Sequence, residues 1–358
     1  SLGFARERLA VELERQIFPD GGHASRNPSV IADYLALLLP LRQACHAVGV
    51  SVPAGVSSAI ERMLPALRFF RMGDGSLARF NGSNALANSI VPILLRYDET
   101  SGQPLLDASN SGYQRMIGGE STVVVDVGNP PKGELSVDAH AGCLSFEFSC
   151  GAECIVVNCG AMSVAKPGSS RFWRATAAHS TIVLCETSCC RFENNSSDGS
   201  TLTGQILSAG MKAECERTDT EYGSAIVAAH TGYAREFGVR VVRSLTLEDE
   251  GCVLKGDDLL TAPDGTALRY STKDQTAIHF HLHPDVRVAR DPEDDFACII
   301  ETRSRQRWRF ACEEVIPDIE ESIFFATSSG SPRGCFQIVL RYEASNAPGV
   351  NWMFKRVS

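Results

Sequence analysis

The 358-residue sequence contains no apolar run near the ~18 residues that a membrane-spanning helix needs, so no helical membrane span is expected. Collagenous, mucin-like and Gln/Asn-rich tracts are missing as well, which excludes fibrous and low-complexity classes. Lysine is scarce: 28 of the 34 basic residues are Arg, and 43 acidic residues leave a net charge of −9. A dedicated nucleic-acid binder needs a basic face, so no nucleic-acid partner is expected. Neither Gly-x-Ser-x-Gly nor His-Glu-x-x-His occurs, which removes the serine-hydrolase elbow and the zincin helix. Asp20-Gly21, Asp74-Gly75 and Gly118-Gly119 do not follow a strand and open a helix, so they read as turns and not as phosphate loops. A ~40-residue repeat, the mark of a propeller, is also absent.

The thirteen cysteines lack a framework spacing. Cys150 and Cys154 are separated by three residues and Cys189 and Cys190 are adjacent, but no second pair sits at zinc-ribbon distance. They read as buried thiols in a reducing, cytoplasmic setting. The first residues, Ser1-Leu-Gly-Phe-Ala-Arg-Glu-Arg, show no signal region and resemble the middle of a helix, so the chain is expected to begin inside a longer protein.

What is present divides near residue 118. Residues 4 to 97 carry helical periodicity. Leu9, Leu13 and Ile17 recur every four residues, and Phe18-Pro-Asp-Gly-Gly22 stops that helix. Asn27 caps a second helix with Pro28 in its first turn and Ile31, Leu35 and Leu38 inside. A third follows Pro53 and buries Ile60, Met63, Leu64 and Leu67, and a weaker fourth spans Asn84 to Tyr97. Prolines 40, 65 and 92 should kink or shorten them. From Ser121 the period becomes two, in Thr122–Val127, Cys143–Ser149, Cys154–Asn158, Ser180–Leu184, Arg240–Leu247 and Cys335–Tyr342. Turns are expected at Gly151, Asp198-Gly199, Asp249–Gly251 and Asp264-Gly265. The fold class is therefore α+β: helical hairpins over 1–118, then a large antiparallel β-sandwich over 119–358.

Hairpin pairing of the strand after His140 with the strand ending at Asn158 makes those two residues neighbours, and His179 at the mouth of a third strand completes a cluster. Two imidazoles and a polar third group at converging strand ends fit a metal or proton-transfer site; each alone also fits a hydrogen-bonded strand end. His230 and Tyr233 are a second acid/base candidate, or a turn whose Tyr packs locally. His279, His281 and His283 share one strand face, but ~6.6 Å steps are too long for all three to hold one ion, so a partly solvated polar face is preferred. Arg303, Arg305, Arg307 and Arg309 alternate into a cationic stripe of ~20 Å, suited to an acidic polymer unless neutralised by Asp291–Asp295 and Glu313-Glu314.

The order F-P-D-G from Phe18, H-x-x-x-L-S-F-E from His140, V-V-N-C-G from Val156, A-A-H-S-T from Ala177 and H-x-G-Y from His230 resembles the C-terminal part of heparinase II/III-like proteins. The resemblance covers about residues 15 to 355. It implies a polysaccharide lyase fold in which residues 1–118 are the last helices of an incomplete α/α toroid, completed by N-terminal helices or a partner chain. It further implies β-elimination on a uronic-acid polysaccharide such as a glycosaminoglycan, a periplasmic or cell-envelope location, and a zinc ion held by His140, His179 and the residue at 158. That last position is Asn in place of the usual Asp, a feeble zinc ligand; Cys159 points to the opposite strand face. The family's Tyr-His pair would fall at Val30 and Ile31; Tyr34 lies one turn later. Elimination needs a neutralised carboxylate, a base poised near working pH and an acid for the leaving oxygen. The catalytic candidates are His140, His179, His230 and Tyr233, and the substrate-binding candidates are His23, Arg26, Arg174, Arg305 and Arg307. Two alternatives stand beside this reading. One is a non-catalytic glycan-binding or structural relative that has lost the Tyr-His pair. The other is a sandwich hydrolase using His140 with Glu147 or Asp126.

Overall fold

The structure, a computed structural model, describes residues 2–98, 104–163, 170–193, 204–207, 210–221, 223–268, 275–344 and 348–357. The Asp198-Gly199 turn lies outside them. Helix α1 spans Leu2–Gln16, α2 Pro28–Ala47 and α3 Val56–Phe69. The Asn27 side chain accepts the Ser29 N–H and caps α2. α3 starts after Gly55, whose φ of 81° is a left-handed conformation that glycine adopts without strain. Pro40 and Pro65 sit inside helices that run on past them. The expected fourth helix is broken into a 3-10 turn at Leu86–Ser89, one α turn at Val91–Leu94 and a second 3-10 turn at Leu95–Tyr97. Pro92 fits only the start of the middle piece, and the side chain of Asn88 is drawn away to accept the Leu77 N–H.

Among the described residues the strands form two large antiparallel sheets. The first runs in the order Asp107–Ala108, Tyr113–Gly118, Ser121–Asp126, Phe146–Cys150, Glu153–Val157, Gln275–Leu282, Arg333–Glu343, Asp318–Phe324, with Ile182–Leu184 also paired to Gln275–Leu282. The second runs Arg287–Asp291, Asp294–Glu301, Arg307–Cys312, Gly349–Arg356, Val253–Thr261, Arg240–Glu248, Gly223–His230, Ala213–Thr220. The sheet already begins at Asp107, ahead of the alternating pattern. The strand Tyr113–Gly118 shows no alternation because its first four residues are all buried.

Burial on both sides explains that pattern. Phe146, Phe148, Ile278, Phe280, Ile338 and Leu340 meet Leu245, Leu254, Trp308, Phe310, Trp352 and Phe354 of the second sheet in one core. On the opposite face Tyr113, Val124, Val157 and Phe324 meet Ile31, Leu35, Ile60, Leu67 and Phe70 in a second core. The molecule therefore has three layers, helices on sheet on sheet, and the middle sheet touches water only at its margins.

Candidate functional site

The middle layer carries charged residues on its helix-facing side. Glu147 lies between Phe146 and Phe148, so when those rings enter the sandwich core its carboxylate must face the helices. There it accepts from Arg79 Nη1 at 2.8 Å, from Arg79 N at 3.1 Å and from Asn158 N at 3.0 Å. Asp126, at the end of the Ser121–Asp126 strand, meets Arg26 in a second buried ion pair. Asn81 joins the two regions: its Nδ2 donates to Tyr113 Oη (2.7 Å) and Asp126 Oδ2 (3.2 Å), and its Oδ1 accepts from His140 N (3.1 Å). Arg26, Asn81 and Leu144 at this junction all have φ between 49° and 61°, a left-handed strain that the surrounding contacts hold in place.

His140 and His179 converge as their spacing suggested, with Nδ1 of His140 2.9 Å from Nε2 of His179. His179 Nδ1 lies 2.8 Å from the Ala175 carbonyl, which can only accept, so that nitrogen carries the proton. Burial holds the His179 ring to a pKa of about 4 and His140 well below its ordinary range, so both are neutral. Nε2 of His179 then accepts from the N–H of His140 Nδ1. Nε2 of His140 is left as a buried lone pair without a partner among the described residues.

The amide of Asn158 does not complete a zinc site. Its Oδ1 is engaged by the Ser180 N–H at 3.0 Å, which fixes the amide orientation, and its other end, Nδ2, is a donor with no lone pair to offer. Two imidazole nitrogens bonded to each other and one occupied neutral oxygen do not fit zinc. Among the described residues no three His, Cys, Asp or Glu side chains converge for a metal. Cys159, on the other strand face, places its Sγ 3.5 Å from His281 Nδ1.

The other candidates sit elsewhere and are occupied. His230 is buried, its Nδ1 accepts the Gly232 N–H, and its pKa falls to about 3 through burial and the nearby Arg243 guanidinium. Tyr233 is buried and donates to the Thr187 carbonyl at 2.8 Å, so the packed-turn reading describes this pair. Arg26, expected to bind substrate, spends every donor inside the protein, on the carbonyls of Ser111, Gly112, Gly128 and Asn129 and on Asp126. Arg174, also expected at substrate, is buried over the Phe192 ring and donates to the carbonyls of Ala139, Gly204 and Ser136. Glu147 and Asp126, the carboxylates of the hydrolase alternative, are each paired with a buried arginine. The Arg stripe is interrupted: residues 302–306 form a turn, Arg305 has φ 69°, and strand geometry resumes only at Arg307. Glu153 shapes this turn by accepting from Thr302 and from Ser304 N at 2.8 Å. Arg305 and Arg307 are exposed, while Arg309 is paired with Asp291 and Asp294. His279 and His281 share a face, stacked at 5.9 Å, and are buried and bonded to Gln337, Ser322 and the Ala177 carbonyl, while His283 at the end of the row is partly exposed.

One contact had no expectation behind it. His23 and Tyr34 bring their rings to 5.0 Å, and Gln16 Oε1 lies 3.0 Å from His23 Nε2 and 2.7 Å from Tyr34 Oη. The Ser25 N–H donates to His23 Nδ1, so Nε2 carries the ring proton, and burial lowers this imidazole to about 4. Burial and Glu12 raise the Tyr34 phenol. The signal for the pair was the place of His23 directly after the turn that reverses α1 toward α2.

A large two-sheet sandwich roofed by helical hairpins, with the paired imidazoles of His140 and His179 at the strand ends, is a polysaccharide-lyase-like fold. The chain belongs to the heparinase II/III-like family: residues 100–353 match its C-terminal domain. It is 32% identical over 356 residues to FtsZ-localized protein C of Caulobacter vibrioides, covering 98% of this chain and 60% of that protein. A mutant of heparan sulfate lyase HepC from Pedobacter heparinus superimposes with a TM-score of 0.75 at 14% identity, over 99% of this chain and 55% of the lyase. A heparinase III structure gives 0.72 at 11% identity, over 98% of this chain and 57% of its own. At such identities the structural likeness shows the fold alone. The chain spans little more than half the length of these proteins.

Proposed function

We propose that this chain is a non-catalytic member of the family, a lyase scaffold used for binding and assembly. The helical layer is read here as the remaining part of an α/α toroid, completed by further helices or by a partner chain. The observation carrying this reading is that His140, His179, His230 and Tyr233 are buried within the protein, and burial moves each of them away from neutral pH. An elimination needs a base poised near working pH; His179 at about 4, His230 at about 3, a His140 held well below its ordinary range and a raised Tyr233 phenol are not poised. The exposed Arg305 and Arg307 support contact with an acidic glycan. The likeness to FtsZ-localized protein C supports use of the scaffold at FtsZ assemblies, which co-pelleting with FtsZ filaments tests directly. The activity test is incubation with heparan sulfate, alginate and hyaluronan, followed by ultraviolet absorbance of the unsaturated product. No absorbance is expected, while binding of heparan oligosaccharides weakens in Arg305→Ala/Arg307→Ala and not in His140→Ala. Unsaturated product from any of these polymers overturns the proposal.

Elimination is the second reading, favoured by the Tyr34–His23 contact. It requires product formation that Tyr34→Phe abolishes while leaving the unfolding midpoint in place.

A further inference from the structure

A cluster of sulfur atoms lies apart from the imidazole pair, beyond the short strand Ile182–Leu184. Cys189 and Cys190 are 3% and 5% exposed, and their Sγ atoms are 3.9 Å apart. Cys190 Sγ is 3.7 Å from the Met211 Sδ. The three residues line one face of a cavity of 130 Å³ that Gly232 and Tyr233 also border. The backbone is fixed at this point: Cys189 N–H donates to Thr176 Oγ1 at 2.9 Å, and Cys189 Sγ faces the Ala141 carbonyl at 3.4 Å. Gly232 is required beside it, since a Cβ there would stand 2.5 Å from the Cys189 carbonyl oxygen.

Sulfur spacing and ligand type together select an ion. Three sulfurs in a plane about a metal at about 2.3 Å stand about 4.0 Å apart, close to the two spacings observed. A thioether is neutral and soft, a poor donor to zinc and a good one to monovalent copper. Among the described residues, the nearby His230 has its Nδ1 occupied by the Gly232 N–H and Cys143 Sγ is turned to the Gly128 carbonyl at 3.6 Å. We propose that Cys189, Cys190 and Met211 form a binding site for one monovalent copper ion. On binding, each thiol gives up its proton to solvent, two copper–thiolate bonds form, Met211 adds a neutral third, and the copper stays monovalent.

The test is anaerobic titration of the reduced protein with monovalent copper against a chromogenic copper chelator, alongside Cys189→Ser/Cys190→Ser and Met211→Leu. The wild type is expected to withdraw one more equivalent than the double variant. Met211→Leu should keep the stoichiometry with affinity lowered by at least the roughly 10-fold that outer-sphere changes bring about. Circular dichroism of each variant controls for folding, and Met211→Leu carries the test should the double variant unfold. Equal uptake by wild type and double variant would overturn the site, as would unchanged affinity in Met211→Leu. A reduced wild type that takes up no copper also overturns it.

Discussion

Acidification is the sharpest test of the buried imidazoles. His23, His179 and His283 are held to about 4, and His230 and His281 to about 3, in each case chiefly by desolvation. An unfolded imidazole titrates near 6.5. Between about pH 6.5 and 4 the unfolded chain therefore binds protons that the fold refuses, so stability is complete above 6.5 and declines as pH falls. At about pH 5.5 each ring favours the unfolded chain by about 1.4 kcal/mol, and the five together by about 7 kcal/mol. Total stabilities of about 5–15 kcal/mol make that a large fraction. His140 and His279 shift in the same direction, whereas Asp126 and Glu147, raised by burial, take up protons in the fold and oppose the trend in part. Urea unfolding at about pH 7.5, 6.5 and 5.5 and fixed ionic strength reads the slope. His230→Asn should remove about 1.4 kcal/mol of the loss at the lowest pH. A midpoint that is flat or rises on acidification refutes the assignment of neutral, desolvated rings.

Three further outcomes follow from the same packing. Glu147→Gln leaves the buried Arg79 guanidinium only the longer contact to Asp74 at 3.9 Å and should cost about 3–5 kcal/mol in urea unfolding; a loss below 1 kcal/mol would mean that the pair is wet. Gly256→Ala places a Cβ 2.1 Å from the Trp352 ring, and calorimetry should show a loss of about 1–3 kcal/mol or more. Dialysis of the Cys189→Ser/Cys190→Ser variant against a chelator should leave the thermal midpoint where it was, because His140 and His179 bond to each other; a clear drop would show that a metal holds the strand ends together.

Local chemistry was readable from the chain, and distant pairing was not. The Asn27-Pro28 start of α2, the strands around Val123, Ile155 and Leu245, and the meeting of His140 with His179 all rest on caps, period and hairpin register within a few dozen residues. Arg79 and Glu147 are 68 positions apart, and Arg26 and Asp126 100 apart. A signal for them existed: an acidic residue between two Phe, or ending a run of Val, must find a cation once its strand is buried on both faces. The Arg303–Arg309 alternation misled because strand and turn share that spacing over a short span, and only the distant Glu153 carboxylate decides for the turn. The Asn84–Tyr97 segment failed as a helix for a comparable reason: Asn88 reaches to Leu77 in preference to its own turn.

The two-sided burial of the middle sheet bears on how this protein can be cut. A fragment starting near residue 119 would lose the Tyr113–Gly118 strand and the cations that face Asp126 and Glu147. It would bare Val124, Val157 and Phe324 to solvent, and we expect it to precipitate. Domain-swap or truncation work should therefore carry the chain from α1 onward as a single piece.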